Sequence, residues 1–115
     1  MPFDPGAVRR RRGDIHHHIV LAQKFAEGMS YDALRDDLCV TYAATCCLEI
    51  ISEASRRLPD ALKARHPPIP WRDIAAAGNI YHHDDVAVRG AWDTLSQHLP
   101  PLRIVIEQEL ALGDP

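Results

Sequence analysis

The sequence predicts an all-α protein, built as an up-and-down bundle of four main helices with a short extra helix. Apolar residues recur at alternating spacings of three and four along several segments, which is the period of an amphipathic helix. No segment alternates apolar and polar residues in the manner of a strand, and there is no internal repeat or glycine-rich phosphate loop. Prolines and glycines separate the helical segments.

Composition limits the kinds of protein that this chain of 115 residues can be. Its length fits one domain, residues 1–115, and its 46% hydrophobic and 25% charged residues are ordinary for a globular protein. A net charge of -3 argues against binding nucleic acid by bulk electrostatics alone. No apolar run approaches the roughly 18 residues of a membrane helix. The N-terminus lacks the apolar core of a signal peptide, so we expect a cytoplasmic protein that does not contact membranes.

We expect residues 1–13 to form a flexible basic arm, because two prolines and a glycine precede four arginines. Such a run either binds phosphates or is simply solvated, and position alone does not decide between these roles. The four residues are Arg9, Arg10, Arg11 and Arg12. The first helix then begins at about Asp14, and its apolar stripe consists of Ile15, Ile19, Ala22, Ala26 and Met29. The three histidines at 16–18 fan around this helix, which favours solvent contact over a metal site.

The central core helix is predicted by the longest apolar stripe. Gly28 and Ser30 mark a break after the first helix, and Ser30 is expected to be the N-cap of the next segment. Asp36 and Asp37 then lead into the central helix. The members of the stripe are Val40, Ala44, Cys47, Ile51, Ala54 and Leu58. The three cysteines, at 39, 46 and 47, are odd in number and form no CxxC pair. We therefore expect small buried thiols in a reducing compartment rather than disulfides or a zinc site.

Prolines frame the helices that follow. Pro59 ends the central helix, and Asp60 is expected to cap a short helix after it. A rigid connector, PPIP at 67–70, precedes a helix that is expected to run from Trp71 into the stretch 78–85.

The C-terminal third predicts two last helical pieces, 91–98 and 101–110, which are bent or broken at the proline pair between them. The final apolar stripe consists of Leu102, Ile106 and Leu110. Before these pieces, the small residues AAAG at 75–78 let another backbone approach closely, either within the fold or in a subunit contact.

One stretch, GNIYHHDD at 78–85, concentrates titratable side chains as no other segment does. His82 and His83 stand there beside Asp84 and Asp85, at the end of the predicted helix. Consecutive residues on a helix point in different directions, so a metal site is the weaker interpretation. Charge pairing of the histidines with the aspartates, and capping of helix carbonyls by His83, is the simple structural alternative.

Several stretches resemble one protein family in their order and spacing. They are GMS at 28–30, CLEIISEA at 47–54 with RLP at 57–59, IPWRDI at 69–74, and WDT at 92–94 followed by LPPL at 99–102. Together they are similar to the HepT-like toxins of the HEPN superfamily, over nearly the whole chain. The resemblance implies a HEPN-type four-helix bundle that forms homodimers. It also implies a metal-independent, cofactor-free ribonuclease toxin, neutralised by a small nucleotidyltransferase antitoxin encoded beside it.

The family's active motif is an arginine, four to six residues, a histidine, one residue and a tyrosine, and the antitoxin attaches adenylyl groups to that tyrosine. In this chain His83 falls on the histidine. Gly78 stands where the arginine is expected, and Asp85 stands where the tyrosine is expected. Asn79, which commonly follows the arginine, is present. A subgroup of relatives keeps a basic residue directly before the histidine, and that place holds His82.

Metal-free RNA cleavage needs a base for the 2′-hydroxyl proton, an acid for the leaving oxygen and positive charge on the phosphorane. We expect His83 to be the catalytic acid or base, with His82 as a substitute cation when protonated and Asn79 beside them. Arg72 is expected on the same helix, three turns or about 16 Å from His83, which limits it to binding RNA together with Arg9–Arg12.

Three hypotheses about function follow. The first is a HepT-like toxin ribonuclease that acts as a homodimer. The second is a catalytically impaired HEPN protein that binds the nucleotidyltransferase, and it is motivated by Gly78 and Asp85. Two carboxylates, Asp84 and Asp85, would also repel a phosphate. The third is a nucleotide- or metal-binding helical module. Tyr81 is the one alternative candidate for adenylyl modification.

Overall fold

The computed structural model describes residues 5–78 and 85–112, and all regular structure within them is helical. This confirms the predicted all-α class. The elements are α1 (Pro5–Phe25), α2 (Tyr31–Asp36), α3 (Leu38–Arg56), α4 (Asp60–Ala64), α5 (Trp71–Ala76), α6 (Asp85–Asp93) and α7 (Leu99–Ala111), and a π-helical turn, Thr94–His98, joins α6 to α7.

The central helix is α3, and the other helices are arranged around it. It packs against α1 on one side and α5 on the other, while α7 packs against α1, and α2 packs against α3 and α6. All three predicted stripes contribute to the single core. Its largest fully buried apolar side chains are Ile15, Ile19, Leu34, Leu48, Ile51, Ile74, Leu99, Leu102 and Ile106.

The first helix starts earlier than the sequence predicts. It begins at Pro5, so residues 5–13 are helical and are not a flexible arm. The reason is a long-range contact: Arg12 is only 4% exposed, and its guanidinium donates to the backbone carbonyl of Glu109 on α7, with Nη1 3.1 Å from the oxygen. Arginine is also a good helix former, so the run at 9–12 extends α1 backwards.

At α2 and α4, two of the predicted boundary residues are confirmed and one is corrected. Ser30 caps α2, its hydroxyl accepting from the amide of Ala33 at 3.1 Å, and Gly28 before it has a φ of +74°. That left-handed turn after α1 favours glycine. Asp60, however, does not cap α4: Pro59 is in the N-cap position, without a side-chain cap, and Asp60 lies in the first turn.

The helix from Trp71 is shorter than predicted. It ends at Ala76, with a capping turn at Ala77, so the stretch 78–85 is not the end of this helix. The spacing of about three helical turns between Arg72 and His83 therefore no longer applies. The short α5 packs closely on α3, at the contact described below.

The last helix is longer than predicted and is not broken at the proline pair. It runs from Asp85 through the π-helical turn into α7. The irregularity lies before the prolines: the amide of Leu99 bonds to the carbonyl of Thr94, five residues earlier. Proline rings clash with the carbonyl four residues back, and the wider turn moves those carbonyls aside.

The cysteines differ from the prediction in two of three cases. Cys47 is buried on the core side of α3, whereas Cys39 and Cys46 are exposed. They lie two turns apart on the outer face of α3, so the prediction that they are buried is wrong. All three thiols are free.

Helix α3 is long and apolar enough, by length and composition alone, to cross a membrane, which we did not expect from the sequence. Half of the relevant window is buried inside the bundle. The core helix of a globular domain has this same character, because one of its faces is lined with core residues.

A buried carboxylate, Glu109 on α7, links three parts of the bundle. It is 2% exposed, it is paired with Arg65, and its Oε2 lies 3.2 Å from Nε2 of His66. Burial alone would raise the pKa of this carboxyl, but the hydrogen bonds from Arg65 and His66 outweigh it and hold the pKa below its ordinary value. The ionised form is therefore the form that stabilises the fold.

We predict that Glu109→Gln lowers the free energy of unfolding by about 2 kcal/mol at pH 7, because charge-assisted hydrogen bonds are lost. The pKa of Glu109 is lower in the folded state than in the unfolded state. The stabilisation is therefore fully present at a pH above the unfolded-state pKa, and it is lost as the pH falls through the folded-state pKa. The gap between variant and parent should therefore close below about pH 4. Urea unfolding from pH 3 to 7 measures it.

The matched control is Glu107→Gln, on the same helix. Glu107 is exposed and binds His16 and Arg103 at the surface, so its loss should have a much smaller effect. Equal effects of the two substitutions, or a gap for Glu109→Gln that does not change with pH, would contradict this role of the buried carboxylate.

Candidate active site

The residues that the resemblance singles out lie between α5 and α6. Asn79, Tyr81, His82 and His83 are outside the described residues, so their assigned roles stay predictions. The described chain reaches Gly78 on one side and resumes with α6 at Asp85 on the other. The surroundings of the site can be built from these two ends.

Gly78 lies against the backbone of α3. A Cβ atom built on it would be 2.8 Å from Cβ of Ser52 and 3.0 Å from Cα of Glu49. Both of these atoms belong to the rigid part of α3, so no side chain fits at position 78 unless the helices separate. This confirms, for the interior of the fold, the close approach predicted from the small residues at 75–78. It also explains in physical terms why this position holds glycine and not arginine.

Ser52 is the polar centre of the contact between α3 and α5. It is 1% exposed, and its hydroxyl donates to the backbone carbonyl of Ala75. The same carbonyl accepts from Nη2 of Arg56 at 2.8 Å, and Nη2 lies 3.3 Å from the Ser52 hydroxyl oxygen. Arg56 thus satisfies a carbonyl of the last turn of α5, a favourable place for a cation.

Glu53 orients the two arginines at the end of α3. Its carboxylate accepts from Nη1 of Arg56 at 2.9 Å and from Nε of Arg57 at 2.8 Å. The Arg56 side chain is 43% exposed and that of Arg57 is 61% exposed. One carboxylate between two guanidiniums leaves a net positive charge on this turn. Of these two arginines, Arg56 is the one that bonds to α5 within the described residues.

The N-terminal arginines do not form one basic surface. Arg12 is buried against α7, so it is not available to a phosphate. Arg10 is exposed, and Arg11 is half-buried, with Nη1 3.4 Å from the carbonyl of Arg57 at the end of α3. The side chain of Arg9 is outside what the structure describes. Arg72 is exposed on the first turn of α5.

A cleft of about 350 Å³ lies between α5 and α6, the two helices that flank residues 79–84. Its walls are small residues, and its polar lining consists of Asp73, Asp93, Thr94 and His98. Nδ1 of His98 is buried, and it has no hydrogen-bond partner among residues 5–78 and 85–112. The cleft is therefore mostly apolar, with two carboxylates at its edge, and it does not resemble a phosphate site.

Among residues 5–78 and 85–112, no three His, Cys, Asp or Glu side chains lie close enough together to hold a metal ion. The described surroundings of the site instead offer a hydroxyl, a guanidinium fork and a tight helix contact. Neither Ser52 nor Arg56 was predicted from the sequence as a residue of the site. A small polar residue on α3 facing the AAAG segment was the one signal that could have indicated them.

Comparison with known proteins identifies the class to which this bundle and site belong. The chain matches the family described as Ribonuclease HepT-like over residues 15–109. A protein of Thermococcus cleftensis named "Probable ribonuclease HepT" is 34% identical over 92 residues, which cover 78% of this chain and 84% of that protein. A protein of Caldanaerobacter subterraneus subsp. tengcongensis named "Putative RNase" is 30% identical over 86 residues, covering 73% of this chain and 77% of that one.

A "Putative RNase" of Methanocaldococcus jannaschii is 26% identical over 86 residues, covering 73% of this chain and 71% of that protein. No solved structure matches the chain. The family match spans most of the helical bundle, from Ile15 in α1 to Glu109 in α7. The chain therefore belongs to the HepT-like ribonuclease family, as the resemblance in its sequence predicted.

We predict that Gly78→Ala lowers the free energy of unfolding by about 1–3 kcal/mol, because the new Cβ overpacks the contact with α3. Chemical denaturation measures it. The matched control is Gly13→Ala: Gly13 lies inside α1 with nothing within 4 Å of a built Cβ, so alanine should stabilise the protein by about 0.5–1 kcal/mol. The two substitutions are expected to change the free energy of unfolding in opposite directions. If both variants were more stable than the parent, α5 would not lie as close to α3 as described.

Proposed function

We propose that this chain is a metal-independent endoribonuclease that acts as a homodimer and is the toxin of a toxin–antitoxin pair, with His83 as its catalytic acid or base. One observation carries the proposal: a chain that belongs to the HepT-like ribonuclease family over residues 15–109 keeps the motif histidine. The names of its relatives in three organisms point to the same chemistry.

The proposed reaction uses the RNA's own 2′-hydroxyl as nucleophile. A base removes its proton while the 2′-oxygen attacks phosphorus, the bond from phosphorus to the 5′-oxygen breaks, and an acid protonates the leaving oxygen. A 2′,3′-cyclic phosphate and a 5′-hydroxyl result. A histidine with a pKa near neutrality can fill either role, and two copies of His83 in a dimer would supply both. His82 and Asn79 would help to bind the phosphate.

A second candidate function is a catalytically impaired protein that only binds the nucleotidyltransferase. The specific observation in its favour is Gly78, since the close contact with Ser52 leaves no room for the motif arginine at that position. Asp85 in place of the motif tyrosine points the same way. Retention of His83 favours the active enzyme, because a protein that only binds a partner has no need of it.

The proposal of a homodimer has support in an exposed apolar stripe on the outer face of α3. Leu38 is 63% exposed, Tyr42 is 55% exposed and Ile50 is 37% exposed, and the exposed Cys39 and Cys46 lie on the same face. Contiguous exposed apolar surface on a helix commonly marks a protein–protein contact. The stripe ends one residue from Glu49, which contacts Gly78, so a second copy docked on it would approach the site.

The antitoxin proposal concerns how the activity is restrained. We infer that a nucleotidyltransferase partner neutralises the chain, and that both act in the cytoplasm, where RNA is available. Asp85 cannot accept an adenylyl group as tyrosine does, which makes Tyr81 the alternative acceptor in the same stretch. Mass spectrometry after incubation with ATP and the antitoxin would detect that modification.

The decisive test of the proposed function is cleavage of RNA by the purified protein in EDTA, compared with His83→Ala. We expect the parent to cleave RNA without metal and the variant to lose about 10²–10⁴-fold in rate, the usual contribution of an acid–base group. No cleavage by the parent would favour the partner-binding function. Equal cleavage by both proteins would remove His83 from the reaction.

We also predict that Cys46→Glu converts the dimer to a monomer, because the substitution places a charge in the middle of the apolar stripe on α3. Size-exclusion chromatography with light scattering measures the mass. Ile104→Glu is the matched control: Ile104 is 58% exposed on α7, away from the stripe, and its substitution should leave the dimer intact. A monomeric parent, or a dimer that survives Cys46→Glu, would contradict this interface.

A further inference from the structure

We propose that Arg56 binds the RNA phosphate that is cleaved, and so takes the place of the arginine that the family motif would have at position 78. This inference rests on the proposed ribonuclease function and assigns to it a residue on α3, outside the motif. The observation behind it is the position of the Arg56 guanidinium relative to Gly78.

Ser52 provides the link between the two positions. Its hydroxyl oxygen lies 3.0 Å from the Cβ position built on Gly78 and 3.3 Å from Nη2 of Arg56. Nη2 of Arg56 therefore lies no further from the Cβ position of residue 78 than the sum of these two distances. An arginine at position 78 would place its own guanidinium several ångströms from its Cβ, so Arg56 brings the same group into the same neighbourhood from α3.

The tight contact at Gly78 explains why the cation comes from α3. Any side chain at position 78 would collide with Ser52 and with the backbone at Glu49. A chain that packs α5 this closely on α3 can present a guanidinium here only from a neighbouring element. Arg56, one helical turn after Ser52 on the same face of α3, is the arginine that reaches the last turn of α5.

The chemistry of Arg56 suits a phosphate. A guanidinium is always charged and presents its N–H groups in a planar fork that matches phosphate oxygens. Its position is fixed by Ser52 and the carbonyl of Ala75, while 43% of the side chain stays exposed to an approaching ligand. Of the partners within the described residues, Glu53 is the one that a phosphate would displace from Nη1, and that carboxylate would keep its bond to Arg57. In the reaction Arg56 would neutralise charge on the non-bridging oxygens of the phosphorane and transfer no proton.

The charges near the end of α3 do not form a basic patch, so we assign phosphate binding to Arg56 alone among these arginines. Arg57 and Arg11 line a groove between α1 and α3, and Asp14, Glu49 and Glu53 line the same groove. The surface is therefore mixed in charge and would not hold RNA as a basic patch does. Arg56 is distinguished from the other arginines by its contacts with α5.

The experiment compares Arg56→Gln with Arg57→Gln as a matched control. Both variants lose one charge and one bond to Glu53, but Arg57 does not contact α5 within the described residues. Cleavage of a short RNA is measured in EDTA. Binding of a 2′-O-methyl RNA, which has no nucleophile and so cannot be cleaved, is measured at several salt concentrations. Thermal unfolding of each variant confirms that it is folded.

We expect Arg56→Gln to reduce the cleavage rate about 100-fold, as loss of a donor to the transition state does, and Arg57→Gln to remain within about threefold of the parent. Arg56→Lys should retain part of the activity, because it keeps the charge but not the fork. Arg56→Gln should also lower the slope of log K against log salt by about 0.7, the value for one phosphate contact on a single strand. A merely structural role at the end of α5 would leave that slope unchanged.

Three outcomes would overturn the inference. A parent that cleaves RNA while Arg56→Gln cleaves equally well would remove Arg56 but leave the proposed function standing. If Arg56→Gln and Arg57→Gln lost equal fractions of the cleavage rate, the loss would come from the broken bond to Glu53 or from the lower net charge, and not from a specific role of Arg56. A parent that cleaves no RNA would refute the proposed function itself, and the role of Arg56 would fall with it.

Discussion

The candidate site depends on one contact, the close approach of α5 to α3 at Ser52. The serine hydroxyl holds the carbonyl of Ala75, and the absence of a side chain at Gly78 lets the two backbones meet. Gly78 lies five residues before His83 along the chain. The contact also orients Arg56, whose guanidinium bonds to the same carbonyl. One small polar residue thus contacts both the backbone at the end of α5 and the guanidinium of Arg56.

A second polar contact, buried at Glu109, holds the bundle together near the start of α1. The carboxylate pairs with Arg65 and His66 beside α4, and its backbone carbonyl accepts from Arg12. The arginines of this protein therefore divide by their partners. Arg12 belongs to the structure of the fold, whereas Arg56 lies at the surface beside the site. The burial and the hydrogen bonds of each arginine decide whether it supports the fold or lies at the surface. Its place in a run of arginines does not decide this.

Sequence reasoning predicted the fold class and the core well, because periodic apolar residues report directly on burial. The stripes of α1, α3 and α7 are the ones the structure buries, and Ser30 caps α2 as predicted. Local signals also predicted the close approach at the small residues before the site. Each of these features depends on residues that are near each other in the sequence.

The features that could not be predicted depend on contacts between distant residues. The early start of α1 follows from a bond between Arg12 and a carbonyl 97 residues later, and the role of Arg56 from a bond to Ala75, 19 residues later. The bond from Ser52 to the carbonyl of Ala75, 23 residues later, was likewise not visible in the sequence. Substitution at the motif positions was visible in the sequence, but the residue that could compensate for it was not.

The most direct test of this account is whether the Arg56 guanidinium meets the phosphate. Side-chain Nε–Hε signals of arginine can be followed by NMR as a 2′-O-methyl RNA is added to the folded protein. The account predicts that the Arg56 signal shifts with saturation of the RNA site while the Arg57 signal changes little. Binding of the RNA with an unchanged Arg56 signal would contradict it.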